Sequence, residues 1–112
     1  MTLYTVTLIL CFHFVADFVL QSHWMAMGKS KHWGMNWQMS SHIAVYTAFL
    51  LPLGVTWALV NGLAHYATDI VSSRATTALW KRNEIHWFFV VIGADQLAHV
   101  LLLLWTYQWL VP

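Results

Sequence analysis

Residues 3–20 read LYTVTLILCFHFVADFVL, an apolar run interrupted by only a few polar side chains. Eighteen residues of α-helix are about 27 Å long, close to the thickness of the hydrocarbon core of a bilayer. The run therefore predicts a first membrane-spanning helix, which we place at residues 3–22. Two of its polar residues, His13 and Asp17, lie one helical turn apart on the same face.

The composition favours the same environment. The chain has 112 residues, of which 60% are hydrophobic and 8% charged, whereas soluble domains carry about 25% charged residues. A soluble domain this small buries too little of its surface to hide so many apolar side chains. The net charge of +1 provides no basic face for nucleic acid. We therefore expect a single transmembrane domain, residues 1–112, that binds no nucleic acid.

Three more apolar stretches follow, at residues 36–51, 53–80 and 86–110. The turn between the first two of them lies either at Pro52 or at Asn61-Gly62, since both are strong turn signals. Only the turn at Pro52 places the histidines and aspartates of all four stretches at similar depths, roughly 14 to 23 Å from the outer helix ends. The expected fold is all-α: a polytopic membrane protein built as a four-helix transmembrane bundle.

The basic residues indicate the orientation of this bundle. All five lie on one side of it: Lys29, Lys31, Arg74, Lys81 and Arg82. Basic residues are enriched on the cytoplasmic side of membrane proteins. We therefore expect a multi-pass protein of the inner (cytoplasmic) membrane with both termini outside, in contact with membrane lipid. An oligomer is compatible with this arrangement.

Three of the four acidic residues stand four positions from a histidine. The pairs are His13 and Asp17, His65 and Asp69, and Asp95 and His99. Residues i and i+4 share a helix face, so each pair presents an imidazole nitrogen and a carboxylate in the same direction. An Asp at the centre of a membrane helix costs about 2.5 to 3.5 kcal/mol, so three of them require neutralising partners.

A metal ion is the partner that we expect, because neutral histidine does not neutralise aspartate. Imidazole and carboxylate together suit a divalent transition metal, zinc first, with manganese and iron as alternatives. One or two divalent ions fit the charge of the three carboxylates. The candidate ligands are His13, Asp17, His42, His65, Asp69, Asp95 and His99. The expected supporting residues that orient these ligands are Gln21, Asn61 and Gln96.

Two ions would form a hydrolytic site, with Asp69 or Asp95 as the bridging, catalytic carboxylate. The remaining histidines, His23, His32 and His86, lie in or near the connections between helices. We expect them to face solvent or lipid headgroups rather than a metal ion.

Five sequence elements follow one another along nearly the whole chain: His-x3-Asp-Phe-x-Leu-Gln (residues 13–21), Lys29, His42, His-x3-Asp (residues 65–69) and Asp-Gln-x2-His (residues 95–99). In this order they resemble a family of small bacterial and phage membrane proteins of unknown function. More loosely, the His/Asp helices resemble the membrane-bound metal-dependent hydrolases, which are similar to all-helical zinc phospholipases C. This second resemblance implies hydrolysis of a lipid or lipid-linked phosphate at the cytoplasmic side.

Three other functions are compatible with the same residues. The first is a transporter or channel for metal ions or protons, because intramembrane His/Asp chains also mark ion paths. Against it, residues 8–10 and 101–104 make the outer halves of two helices apolar. The second is a haem-binding bundle, which does not explain an Asp four residues from each His. The third is a phage or host membrane interaction protein with a structural metal.

Overall fold

A computed structural model describes residues 1–28 and 36–111 of the chain, and every secondary-structure element within these ranges is helical. The predicted all-α class is therefore confirmed. Lys29, Lys31 and His32 lie outside the described residues. The longer helices are α1 (Leu3–Phe14), α3 (Trp37–Leu50), α4 (Val55–Lys81) and α5 (Ile85–Leu110). The shorter elements are a π-helical turn (Val15–Val19), α2 (His23–Gly28) and a 3-10 turn (Leu51–Leu53).

The first helix ends earlier than the predicted residue 22. After Phe14 the chain widens into the π-helical turn, in which the N–H of Leu20 donates to the carbonyl of Val15 at 2.9 Å. Ser22 then accepts a hydrogen bond from the N–H of Met25 at 3.2 Å, as a residue that caps a new helix does. Ser22 lies at the end of the helix predicted at residues 3–22, and in the structure it directly precedes α2 instead. Single π turns of this kind occur frequently at functional sites.

The turn between α3 and α4 lies at Leu51–Gly54, whereas Asn61 and Gly62 lie inside α4. Pro52 has no N–H to continue a helix. The Asn61 side chain is satisfied within the bundle, since its Nδ2 donates to Thr106 Oγ1 at 2.8 Å. Gly62 is buried and faces Thr47 of α3 so closely that an added Cβ would overlap the threonine Oγ1. Both residues of this turn signal thus serve helix packing.

The four longer helices surround a common interior. Helix α4 packs against α3 and α5, α1 packs against α5, and the π-helical turn packs against α3. An apolar core fills the end at which α3 turns into α4, where Val111 also lies against Gly54. This core consists of Ile9, Ala16, Tyr46, Leu50, Trp57, Ala58 and Leu103. The start of α1, the turn and the end of α5 therefore lie at the same end of the bundle.

The distribution of polar and apolar side chains is inverted relative to a soluble domain. The buried polar and charged residues are His13, Asp17, His42, Asn61, His65, Asp69 and His99. Large apolar side chains face outward along the helices, for example Leu63, Val71, Phe89 and Trp105, each more than 60% exposed. The interior of this chain is therefore unusually polar and its surface unusually apolar.

Only α5, among the helices of the described residues, is both long and apolar enough to cross a membrane; Leu3–Val19 is apolar but shorter. The four spans that we expected from the sequence thus do not all meet this criterion. Helix α3 has 14 residues, a length of about 21 Å. Helix α4 has 27 residues, but its inward polar stripe lowers its average hydropathy.

The contact between Gly62 and Thr47 provides a test of this packing. We expect Gly62→Ala to lower the stability of the fold by about 1 to 3 kcal/mol, the cost of overpacking a tight contact. Adding Thr47→Ala should restore most of the lost stability, because that change removes the overlapping oxygen. The measurement is the thermal unfolding midpoint of the purified protein.

Gly93→Ala is the matched control, because an added Cβ there meets no described atom within 4 Å. It should leave the midpoint unchanged or raise it, since alanine favours a helix over glycine by up to about 1 kcal/mol. Equal midpoints for Gly62→Ala and Gly93→Ala would contradict the packing of α3 on α4.

Candidate metal centre

Four ligand atoms from the π-helical turn, α3 and α4 meet at one buried point. They are His42 Nε2, His65 Nε2, Asp17 Oδ1 and Asp69 Oδ2, and we call them the tetrad. The two imidazole nitrogens are 2.8 Å apart. His42 Nε2 lies 3.2 Å from Asp17 Oδ1 and 3.3 Å from Asp69 Oδ2. His65 Nε2 lies 3.4 Å from each of the same oxygens.

Hydrogen atoms alone cannot satisfy all the contacts of the tetrad. Each Nε2 carries one hydrogen or one lone pair, and an ionised carboxylate oxygen only accepts. At most two hydrogens are thus available for five close contacts, one of which joins the two nitrogens. With both carboxylates ionised, either the two nitrogens are both donors only 2.8 Å apart, or a nitrogen lone pair faces carboxylate oxygens. A cation at the centre satisfies all four atoms at once.

The size of the tetrad fits such a cation. In a regular tetrahedron with edges of about 3.3 Å, the centre lies about 2.0 Å from each corner, which matches zinc–nitrogen and zinc–oxygen bonds in proteins. The nitrogen–nitrogen distance and the four nitrogen–oxygen distances, 2.8 to 3.4 Å, bracket this edge length. Within the tetrad, Asp17, His42 and His65 form one potential metal-binding group. One divalent ion also balances the charges of Asp17 and Asp69. The buried histidines and aspartates therefore form groups that could hold a metal ion.

Asp17 connects the tetrad to a second group of residues. Its Oδ2 lies 3.9 Å from His13 Nε2 and 3.8 Å from His99 Nδ1. These three residues form another potential metal-binding group, and His65, Asp69 and His99 form a third. Asp17 thus belongs to two of the potential metal-binding groups, a shared position for which the sequence led us to expect Asp69 or Asp95. Asp17 takes this place because the π-helical turn directs it to the centre of the bundle.

The side-chain amide of Gln96 joins three of the candidate ligands. Its Oε1 accepts from His13 Nε2 at 2.8 Å. Its Nε2 donates to Asp17 Oδ2 at 3.0 Å and to Asp95 Oδ2 at 3.2 Å. Gln96 therefore links a residue of α1, a residue of the π-helical turn and a residue of α5 by hydrogen bonds.

Tyr46 and Ser72 are supporting residues for which we predicted no role. The Tyr46 hydroxyl lies 3.2 Å from His13 Nδ1, and its ring stacks on His65 with 4.0 Å between centroids. Ser72 donates a hydrogen bond of 2.7 Å to Asp95 Oδ1. A signal was present for each, because Tyr46 follows His42 by one helical turn and Ser72 follows Asp69 by three residues.

His99 is buried beside the tetrad, but neither of its ring nitrogens has a hydrogen-bond partner among residues 1–28 and 36–111. Its ring stacks on His65 with 4.0 Å between centroids. Its Nε2 lies 3.5 Å from Asp95 Oδ1, outside hydrogen-bonding geometry. A buried imidazole without any partner is rare in folded proteins, because each buried polar group that remains unpaired costs free energy.

The other predicted supporting residues are Asn61 and Gln21. Asn61 donates to Trp57 O at 2.9 Å and to Thr106 Oγ1, so its described hydrogen bonds join α4 to α5 and not to the ligands. The Oε1 of Gln21 is buried without a partner in the described part of the chain. His23 and His86 are exposed, as their places near the connections suggested.

The role of Gln96 can be tested by removing its amide. We expect Gln96→Leu to lower the free energy of unfolding by about 1 to 3 kcal/mol, because buried polar atoms of His13 and Asp17 lose a partner. Gln108→Leu is the matched control on the same helix, since Gln108 is exposed. Unfolding in the presence of a chelator measures both, and equal midpoints would contradict a structural role for Gln96.

Two comparisons with known proteins gave no match: neither a curated protein nor a solved structure is similar to this chain. A third gave one. A family model described as "Protein of unknown function (DUF3307)" matches residues 5–112. That range includes all seven candidate ligands and their supporting residues. The chain is therefore a member of the DUF3307 family.

Proposed function

We propose that this chain is a membrane-embedded metal-dependent hydrolase that acts on a lipid or lipid-linked phosphate. The observation that carries the proposal is the tetrad, in which two imidazole nitrogens lie 2.8 Å apart and each lies 3.2 to 3.4 Å from two carboxylate oxygens in a buried interior. The nitrogen and oxygen donors favour zinc, with manganese and iron as the alternatives.

The membrane part of the proposal is supported by the inverted polarity of the bundle. In water, outward side chains such as Leu63 and Trp105 would form large apolar patches. In lipid, the same side chains are in a favourable solvent, and the polar residues face inward as intramembrane ionisable groups do. We propose that all four longer helices cross the inner membrane. The bilayer would be locally thinner around the shorter ones.

The ends of the bundle support an orientation. Lys81 and Arg82 lie at the end of α4, and Arg74 lies two turns before it, opposite the end that carries the turn at Pro52. By the positive-inside rule this basic end is cytoplasmic. The apolar core at the other end separates the tetrad from the outside. A substrate would therefore reach the centre from the cytoplasmic leaflet, and both termini would lie outside.

Asp95 is the carboxylate that fits the role of general base. Asp17 and Asp69 each supply an oxygen to the tetrad, whereas Asp95 stands apart and is held by Ser72 and Gln96. A bound metal ion supplies a Lewis acid that polarises the phosphate and lowers the pKa of water. Asp95 takes a proton from the water, whose oxygen bonds to phosphorus. The bond from phosphorus to the leaving oxygen breaks, and that oxygen receives the proton.

Transport of metal ions or protons is the second candidate, favoured by the depth of the ligands. A transporter needs a polar route to both sides of the membrane. The apolar core, with Trp57, Leu50 and Leu103 fully buried, supplies no such route at the outer end. A protein with a purely structural metal needs no spare carboxylate, which leaves Asp95 unexplained. Hydrolysis accounts for both the apolar outer end and the spare carboxylate of Asp95.

An activity measurement tests the proposal directly. Zinc-loaded protein in mixed micelles should hydrolyse a phosphate ester bond in phosphatidylglycerol or in a polyprenyl diphosphate, with products identified by mass spectrometry. Asp95→Asn should keep the metal of the tetrad and lower turnover by about 100-fold or more, the usual contribution of a general base. Glu84→Gln, the same change at an exposed residue, should keep full activity. Metal-loaded protein that leaves every lipid phosphate intact would overturn the proposal.

Cysteine labelling tests the proposed topology. In a Cys11→Ser background, we expect an impermeant maleimide to label Gln108→Cys and Leu51→Cys on intact cells, because both lie at the outer end. Glu84→Cys, between α4 and α5, should react only after the membrane is permeabilised. Labelling of all three on intact cells would show that α4 and α5 do not cross the membrane, and the reverse pattern would invert the orientation.

A further inference from the structure

We infer that a second divalent cation binds beside the first, held by His13, His99 and Oδ2 of Asp17, so that Asp17 bridges two ions. The inference rests on the proposed function, since the first ion occupies the tetrad. The second ion provides an open coordination position for water or substrate, which the tetrad lacks. Four protein ligands close the coordination of a zinc ion, as in structural sites, whereas catalytic zinc keeps a position open for water or substrate.

The geometry of the second position is slightly wider than that of the tetrad. Asp17 Oδ2 lies 3.9 Å from His13 Nε2 and 3.8 Å from His99 Nδ1. The edge of a tetrahedron around zinc is about 3.4 Å for bonds of about 2.1 Å. These two nitrogen–oxygen distances therefore need to close by about half an ångström, and all three ligand atoms lie within 4.8 Å of one another. Side-chain rotation provides movements of this size. Three protein ligands leave the fourth position open.

The unpartnered ring of His99 is an independent observation that favours this position. His99 is 2% exposed, and neither ring nitrogen has a hydrogen-bond partner within the described ranges. With a cation on Nδ1, the other nitrogen carries the hydrogen and faces Asp95 Oδ1 at 3.5 Å. Asp95 would then orient the ring, as carboxylates commonly do for metal-bound histidines.

His13 already has the partner that a metal-bound histidine needs. Its Nδ1 lies 3.2 Å from the Tyr46 hydroxyl, which accepts a hydrogen bond when Nε2 binds the cation. When the cation binds, His13 Nε2 leaves its contact with the Gln96 amide and binds the cation instead. Gln96 retains its hydrogen bond to Asp95 and lies beside the open position. This places the half-buried Asp95 and Gln96 next to the place of the reacting water.

The charges of a two-ion centre indicate the substrate class. Ligand imidazoles are neutral, so the carboxylates of Asp17, Asp69 and Asp95 contribute all the negative charge. Two divalent ions leave the centre with a net charge of +1. A phosphodiester carries one negative charge, so its binding neutralises a centre buried in a low-dielectric interior. The second ion thus favours a phosphodiester, such as a phospholipid headgroup linkage, over a phosphomonoester with two negative charges.

The number of bound ions tests the inference. Detergent-purified full-length protein is stripped with a chelator, dialysed against excess Zn²⁺, and analysed by mass spectrometry of the metal. We expect two ions per chain in the wild type and one in His99→Phe, where phenylalanine keeps the stack on His65 without a ligand nitrogen. His86→Phe, the same change at an exposed residue on α5, should keep two.

Electron paramagnetic resonance of the Mn²⁺-loaded wild type provides a readout that needs no variant. Two ions bridged by one carboxylate lie about 3.5 to 4 Å apart, so their spins couple, whereas single or distant ions give an uncoupled six-line spectrum. A coupled spectrum supports the second position even if His99→Phe does not fold. An uncoupled spectrum, one ion per chain, or two ions retained by His99→Phe would overturn it. A wild type without any bound metal would overturn the proposed function as well.

Discussion

The convergence of two carboxylates and two imidazoles on one buried point is the constraint on which the rest of this structure depends. Asp17 and Asp69 repel each other there, and the nitrogens of His42 and His65 lie only 2.8 Å apart, so that two donors are in close contact when each donates to a carboxylate. A chain of this size has a total stability of only about 5 to 15 kcal/mol, so an uncompensated cluster would consume much of it. The cation that we propose converts the same cluster into a link between α3, α4 and the π-helical turn.

Several features of the fold are explained by the need to hold this cluster. The π-helical turn directs Asp17 inward where α1 ends, and Gly62 lets α3 and α4 approach until His42 and His65 meet. Around the cluster, Gln96 and Tyr46 fix the ring of His13. The apolar side chains that this polar interior displaces lie on the outside. A polar centre and an apolar surface are thus two consequences of the same arrangement, and the bilayer that we propose as its solvent would accommodate both.

The sequence predicted the residue types at this centre better than their individual roles. The i, i+4 spacing was sufficient to place His65 with Asp69 on one face, because a regular helix fixes that geometry. Rotation about each helix axis depends on packing, so the sequence could not show that Asp17 belongs to two of the potential metal-binding groups. It also did not predict the π-helical turn, which adds one residue to a helical turn without a known sequence signature. Asn61 looked like a supporting residue because it precedes His65 by one turn, but Thr106 on α5 offers it a nearer partner.

X-ray absorption at the zinc edge of the purified protein tests the central claim most directly, because it reports the atoms bound to the metal. The account predicts a first shell of nitrogen and oxygen only, at about 2.0 Å, with the outer-shell scattering of imidazole rings. Replacing both His42 and His65 by phenylalanine should abolish zinc binding at the tetrad and so lower the zinc content of the protein. A sulfur neighbour at about 2.3 Å, which would implicate Cys11, or a first shell without imidazole would contradict a metal centre built from these histidines and aspartates.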